Sequence, residues 1–483
     1  MKKIFFLIIA AGLTLASCKK LTDLNEDTKS AKAGDAPSQT LFANATKNLM
    51  DQVATPSVNL NIMRTMVQYW TETTYTDESN FNLTTRKIPD SEFITIYRDV
   101  LADYKEAARL IDLEPDGIST PAEKANKKAI IEMLTVYAYA REVDIFGNVP
   151  YSTSLDVDGN IQPKYDDGQS VYDALFKRLD AAIASIDVNS GSFKNGFDVI
   201  YAGNMTKWKA FGNSLKLKLA VNVADVSGLN PGQKATEAVA AGVFTSAAQS
   251  ARYTYLGASP NTNPLCAQLV LSGRKDWVMA NTFVDVLKAK ADPRIDNFCD
   301  GNLGAGTYTG GVFGASNKYA NFSQVTKTIL APTWAGNLLD YSEVQFYLAE
   351  AAARGMIAGS AQTYYNEGIK SSILFWGGTD AEATTYLART DVDYNNAGSG
   401  ANFKEKIGTQ LWIACYDRPD AAWNSYRRLD FPKLQIAAKS KENVPNRYTY
   451  PISEQTLNGS NYTTAASAIG GDFKTTKLFW DKN

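Results

Sequence analysis

Apolar residues recur every three or four positions through most of this 483-residue chain, and that spacing suits helices packed face to face. In SEFITIYRDVLADYKEAARLI the positions Phe93, Ile96, Val100, Leu101, Tyr104, Ala107, Leu110 and Ile111 line one helical face. KANKKAIIEMLTVYAYAREVDIF repeats the pattern through Ile130, Leu134, Tyr137 and Ala138. Ser170-Val171-Tyr172-Asp173 has the spacing of a capping box and predicts a helix start ahead of the stripe Val171, Leu175, Leu179, Ile183 and Ile186. MTKWKAFGNSLKLKLAVNVAD follows with Trp208, Phe211, Leu215 and Leu219 in register. Helices resume at LDYSEVQFYLAEAAARG, where Asp340 and Glu343 suit a helix start, at SAQTYYNEGIKSSILFWGG and at KEKIGTQLWIACY.

Between about residues 225 and 334 the helical period fades, WVMANTFVDVLKAK apart, and Gly, Ser, Asn, Thr and Pro dominate. The expected architecture is mainly α: about four tetratricopeptide-like helical pairs, near 41–75, 92–146, 170–224 and 341–376, with a loop-rich insertion and an irregular C-terminal region. Ala351, Gly355, Ala361 and Gly368 beside Tyr347, Tyr364 and Tyr365 suit such a pair, small residues letting two helices approach while tyrosines fill the gaps. The expected divisions are a signal peptide over 1–17, a lipidated tether over 18–40, scaffold over 41–225, a loop-rich ligand-binding region over 226–335, scaffold over 336–440 and an irregular end over 441–483.

The first residues carry a separate instruction. Lys2 and Lys3 precede an apolar run, Ile4 to Ala16, that is well short of the ~20 residues a helix needs to cross a bilayer. A basic head, an apolar middle and small residues at the end make a secretory signal. Leu15-Ala16-Ser17-Cys18 matches the bacterial lipoprotein pattern, so Cys18 is expected to carry diacylglycerol and become the mature N-terminus. More than one acyl chain, at ~0.8 kcal/mol per buried methylene, makes such an anchor stable.

Composition removes whole classes of function. Net charge is -2 with 49 basic and 51 acidic residues and no basic block, which argues against a nucleic-acid partner. The chain has no histidine, so Ser-His-Asp and Cys-His nucleophiles, imidazole metal sites and His acids or bases are all unavailable. An enzyme would have to work through carboxylates, and no pair among 51 acids stands out in sequence. Cys266, Cys299 and Cys415 permit one disulfide at most; Cys266 with Cys299 is the candidate, against three small buried thiols as the simpler expectation.

Two motifs fail on spacing. Gly304, Gly306, Gly310 and Gly311 lack the pattern and the strand-then-helix context of a phosphate loop. Asp156, Asp158, Asn160 and Asp167 fall at positions 1, 3, 5 and 12 of a calcium loop, but Ile161 replaces the turn glycine, and a polar turn is expected there. No metal or cofactor is expected.

The chain is rich in rings, with 25 Tyr, 21 Phe and 8 Trp. Trp70, Trp208, Trp376 and Trp412 lie in helical register and are expected in the core. Trp277, Trp334, Tyr308, Phe313, Tyr75 and Phe81 lie in loops among turn residues, and these are the candidate ligand contacts, with Arg274. A flat ring stacks on the C–H face of a sugar or on a peptide side chain, while Arg274, Asp276, Asp77, Glu78 or Asn80 could bond hydroxyls or backbone.

REVDIFGNVPYS (141–152), LDYSEVQFYLAEAAARG, Asp292-Pro293-Arg294, YTDESNFN (75–82) and the ending RYTYPISEQTLNGSNYTTA…KLFWDKN together resemble the SusD/RagB family of Bacteroidetes outer-membrane lipoproteins. The resemblance spans essentially the whole mature chain, lipoprotein signal included. It implies four tetratricopeptide-like helical pairs and a protein that is not an enzyme. It implies a lid on a SusC-type TonB-dependent barrel transporter, capturing oligosaccharides or peptides at the cell surface on the outer membrane. Asp23, Glu26 and Asp27, soon after Cys18, resemble the surface-export signal of that phylum. The ligand contacts of the family vary too widely to transfer. Two other readings compete: a carboxylate-only glycoside hydrolase, and a periplasmic tetratricopeptide-type adaptor that binds only proteins.

Overall fold

The computed structural model describes residues 36–482 apart from 116, 157 and 195. Cys18, Asp23, Glu26 and Asp27, and with them the signal and most of the tether, lie outside the described residues. The helices that build the scaffold are α1 (Ser38–Ala54), α2 (Ala102–Asp112), α3 (Pro121–Phe146), α4 (Gly168–Ala184), α5 (Met205–Asn222), α6 (Pro231–Ala241), α7 (Asn281–Ala289), α8 (Tyr341–Ala353), α9 (Ala361–Phe375), α10 (Asp380–Leu387), α11 (Phe403–Ala414) and α12 (Pro419–Leu429). α2 continues a helix Ile88–Ile94 through a π-helical segment, Thr95–Leu101.

The fold is mainly helical, as the periodicity predicts. Partners packed side by side are α1 with α2, α3 with α4, α5 with α6, α8 with α9, and α11 with α12. The pair expected at 341–376 is found, but the earlier ones are shifted along the chain. The reason lies at 63–72, which forms a four-residue helix (Met63–Met66) and a strand in place of a second long helix. α1 is left to pack against α2, and α3 turns to α4 as its main neighbour.

Local sequence sets the helix ends. Thr120 and Glu123 form a reciprocal capping box with Pro121 at the first helical position of α3. Gly147, at φ +92°, ends it. Asp340 caps α8 by accepting the Glu343 amide at 2.8 Å. α4 starts earlier than the predicted Ser170: Asp167 is its cap and accepts the Ser170 amide at 3.0 Å. That duty occupies one of the four calcium-loop positions, and Asp156 closes its own turn by accepting the Gly159 amide.

Buried charges tie the pairs together. Glu343 of α8 is fully buried and accepts from Lys218 of α5 at 3.0 Å, from Arg418 at 3.0 Å and from the Tyr347 hydroxyl at 2.7 Å. Arg418 also meets Asp340 at 2.7 Å. Two turns further along α8's face, Glu350 pairs with Arg428 of α12 at 2.9 Å. Arg141 of α3 reaches back to Glu92 at 2.7 Å, and Arg294 folds onto Asp292 in a two-pronged pair at 2.8 and 2.6 Å.

Three two-stranded ribbons organise the loops: β1 (Trp70–Glu72) with β5 (Trp277–Met279), β2 (Val149–Pro150) with β3 (Tyr165–Asp166), and β4 (Ala251–Tyr253) with β6 (Gly336–Leu339), all antiparallel. Trp70 therefore sits in a strand, not a helix, though it is buried as expected with Trp208, Trp376 and Trp412. The glycine-rich stretch lies flat on the start of α7: a Cβ on Gly310 would fall 2.3 Å from Asn281 Cα. Cys266, Cys299 and Cys415 are free and buried. The C-terminal region is more regular than expected, with helices Ile452–Leu457 and Gly459–Ala468. Among the described residues no helix is long and apolar enough to cross a membrane.

Truncating Glu343 strands two buried cations. Glu343→Ala is expected to lower stability by about 3–5 kcal/mol in urea unfolding, several times the effect of truncating an exposed ion-pair residue such as Lys177.

Candidate ligand-binding site

The β1–β5 ribbon pairs Glu72 with Trp277, and the chain leaves β1 as Thr73-Thr74-Tyr75 just where it enters β5 from Arg274-Lys275-Asp276. Two further bonds hold these edges together: the Thr73 amide donates to Asp276 O at 2.9 Å and the Thr73 hydroxyl to Lys275 O at 2.8 Å. The result is a cleft of about 400 Å³, walled by Tyr75, Arg274 and Asp276, with Glu72, Arg86 and Asn59 among its other lining residues. Tyr75 is 72% exposed. Arg274 and Asp276 stand 3.8 Å apart with about half of each side chain in solvent, so both can be recruited by a ligand. One exposed ring beside a cation, a carboxylate, an amide and threonine hydroxyls suits a polyhydroxylated, flat-faced ligand.

The structure thus brings Tyr75 and Arg274 together, and it separates them from most of the other predicted contacts. Phe81 and Phe313 are buried and packed on one another, centroids 5.8 Å apart, so neither offers a ring face to solvent. Trp277 is buried against Trp70 at 6.2 Å. Tyr308 is half-buried and its hydroxyl donates to Asp296. Trp334 is half-buried, stacked on Trp376 at 5.7 Å, with its indole N–H donating to Asp417 at 2.9 Å. Of the polar neighbours, Asn80 is consumed by the fold: its amide nitrogen bonds Thr76 O and Gly314 O, and its oxygen accepts from Lys439 and Ser440. Asn317 likewise bonds Glu72 O, Val312 O and Ala315 O. These two asparagines staple three loops distant in sequence.

Sequence reading missed Glu72 and Arg86. Arg86 donates to the buried Glu78 at 2.5 Å. The second oxygen of Glu78 is buried with no donor of its own, and burial together with the Glu78 carboxyl pushes Glu72 up to about 9. Burial and the neighbouring Glu78 carboxyl thus favour the neutral form of Glu72. Its other contacts hold it in place: Glu72 Oε2 accepts the Ser79 amide at 2.9 Å, and the Glu72 amide donates to Ser79 Oγ at 3.1 Å. Glu72 and Glu78 are near enough for one carboxyl to raise the pKa of the other, whereas glycoside hydrolysis needs a pair separated by about 5–9 Å.

A carboxyl whose folded pKa lies above its unfolded value favours folding most below the unfolded pKa and loses that contribution as pH rises through the folded one. From Glu72 alone, stability should fall between about pH 4.5 and about pH 9, by on the order of 1 kcal/mol per pH unit at the steepest. Glu72→Gln keeps a neutral donor, so the two proteins should unfold alike at pH 5 and the variant should be the more stable at pH 8.5, read by chemical denaturation at both values.

A chitin-binding protein of known structure superposes with a TM-score of 0.79 at 26% identity, covering 92% of this chain and all of its own. A SusD homologue from Bacteroides uniformis superposes at 0.78 with 26% identity, covering 92% and 99%. A chitin-binding SusD homologue from Flavobacterium johnsoniae does so at 0.78 with 25% identity, again covering 92% and 99%. No curated protein sequence matches the chain. The family model described as SusD-like, starch-binding and associating with the outer membrane, matches residues 28–451, and the chain belongs to that SusD-like family.

Proposed function

We propose that this protein is a lipid-anchored outer-membrane receptor that captures oligosaccharide at the cell surface and hands it, chemically unchanged, to a SusC-type TonB-dependent barrel transporter. The observation that carries the reading is the cleft in which exposed Tyr75 faces Arg274 and Asp276, built on the ribbon that joins the first loop to the loop-rich insertion. Likeness over nearly the full chain to two chitin-binding proteins supports a saccharide over a peptide. The lipoprotein signal ending at Cys18 supports attachment by acyl chains at the membrane face. Trp334, half-buried at the edge of β6, is a second contact; the buried Trp277, Phe81 and Phe313 support the walls.

The absence of histidine, which removes imidazole acids and bases, supports binding without hydrolysis. Mass spectrometry of the mature protein should find acylated Cys18, and protease added to intact cells should degrade the protein. Incubation with a panel of glycans should give binding with no reducing ends released; steady turnover would overturn the binding role. In titrations with the bound glycan, Tyr75→Ala and Arg274→Ala should each weaken affinity about tenfold, equivalent to ~1.4 kcal/mol, at unchanged melting temperature. Trp277→Ala, by contrast, opens the core and should lower stability by about 3–5 kcal/mol.

A further inference from the structure

Beside Trp334 the fold leaves a set of polar groups without partners. Arg252 of β4 and Asn337 of β6 are cross-strand partners and project from one face of their ribbon. Asn337 is 3% exposed, yet neither its amide nitrogen nor its amide oxygen has a hydrogen-bond partner. Arg252 Nε and Trp376 Nε1 are also buried and unpartnered. The Arg252 guanidinium lies 4.3 Å from the centre of the Phe375 ring, and Phe375 and Trp376 both pack on Trp334.

Charge accounting singles out Arg252. The carboxylates that act on it are already engaged: Asp340 holds Arg418 at 2.7 Å, and Asp417 takes the Trp334 indole and Arg64 at 2.9 and 3.4 Å. Among the described residues Arg252 makes no ion pair, and its burial disfavours the charge it must carry. A half-buried cation with an idle amide opposite it is the half of an interaction that an anion completes.

We propose that this surface binds the carboxylate of an acidic sugar, a uronate unit, with the half-buried Arg252 guanidinium gripping the carboxylate and the open part of Trp334 receiving the C–H face, while the buried neutral Asn337 opposite leaves the cation uncompensated. The inference rests on the carbohydrate reading above and adds to it a charge preference. A neutral glycan fills the Tyr75 cleft equally well with or without this site.

The test uses the full mature protein, oligogalacturonate and the same oligomer after reduction of its carboxyl groups. At low salt the acid form should bind at least tenfold tighter, with the gap shrinking as salt rises. Arg252→Gln should bring the two forms to equal affinity. Asn337→Asp places a carboxylate opposite Arg252; it should abolish the preference while raising the melting temperature, and it answers the question even if Arg252→Gln folds poorly. Equal binding of both oligomers by the wild-type protein, or a preference that survives both substitutions, overturns the inference and leaves the saccharide receptor standing. Failure of either oligomer and of every neutral glycan to bind overturns both.

Discussion

Three consecutive residues, Tyr416, Asp417 and Arg418, sit in the turn between α11 and α12 and hold together parts of the molecule that the chain reaches hundreds of residues apart. Arg418 satisfies the buried Asp340 and Glu343 of α8. Asp417 receives the Trp334 indole and the Arg64 guanidinium. The Tyr416 hydroxyl accepts from the Trp70 indole at 3.0 Å. A buried charge without its partner is too costly to keep, so sliding α8 by one turn, or detaching β1, would leave ions stranded in the core. The pairing of helices follows from meeting these charges as much as from apolar packing.

That turn also links the scaffold to both proposed ligand surfaces. Trp70 opens β1, whose end carries Glu72 and runs on to Tyr75; Trp334 precedes β6, which carries Asn337. Arg64 lies over Trp70 at 5.1 Å while it pairs with Asp417. Loops that would otherwise sample many shapes are held by fully buried anchors, with Asn80 and Asn317 closing the other side through backbone carbonyls and amides. Such support would favour binding at the proposed cleft, because ordering a loose loop on binding subtracts from affinity.

How much of this was legible beforehand differs by element. The stripe Val171, Leu175, Leu179, Ile183 is buried along α4, and Asp340 caps α8, because both depend on residues within one or two turns. The loop aromatics were ambiguous. Phe81, Phe313 and Tyr75 sit in similar polar surroundings in sequence, yet the first two meet across more than two hundred residues and vanish into the core while Tyr75 stays in solvent. Glu72 drew no notice as one acid among many; burial and the sealed Glu78 beside it favour its neutral form, against the Ser79 bonds that favour the charged one. Arg252 was equally silent, being distinguished solely by the partner it lacks.

The sequence by itself determined the helical character, the stretches of the main scaffold helices, the burial of Trp208, Trp376 and Trp412, the exclusion of imidazole chemistry and the family resemblance, since each is written in residue type or in short-range spacing. Tertiary structure alone decided which helix packs on which, which rings face water and which ionisable groups are left neutral or unpaired. Those outcomes depend on contacts between segments far apart in the chain, where burial and the company of other charges, rather than any local pattern, set the energy of each group.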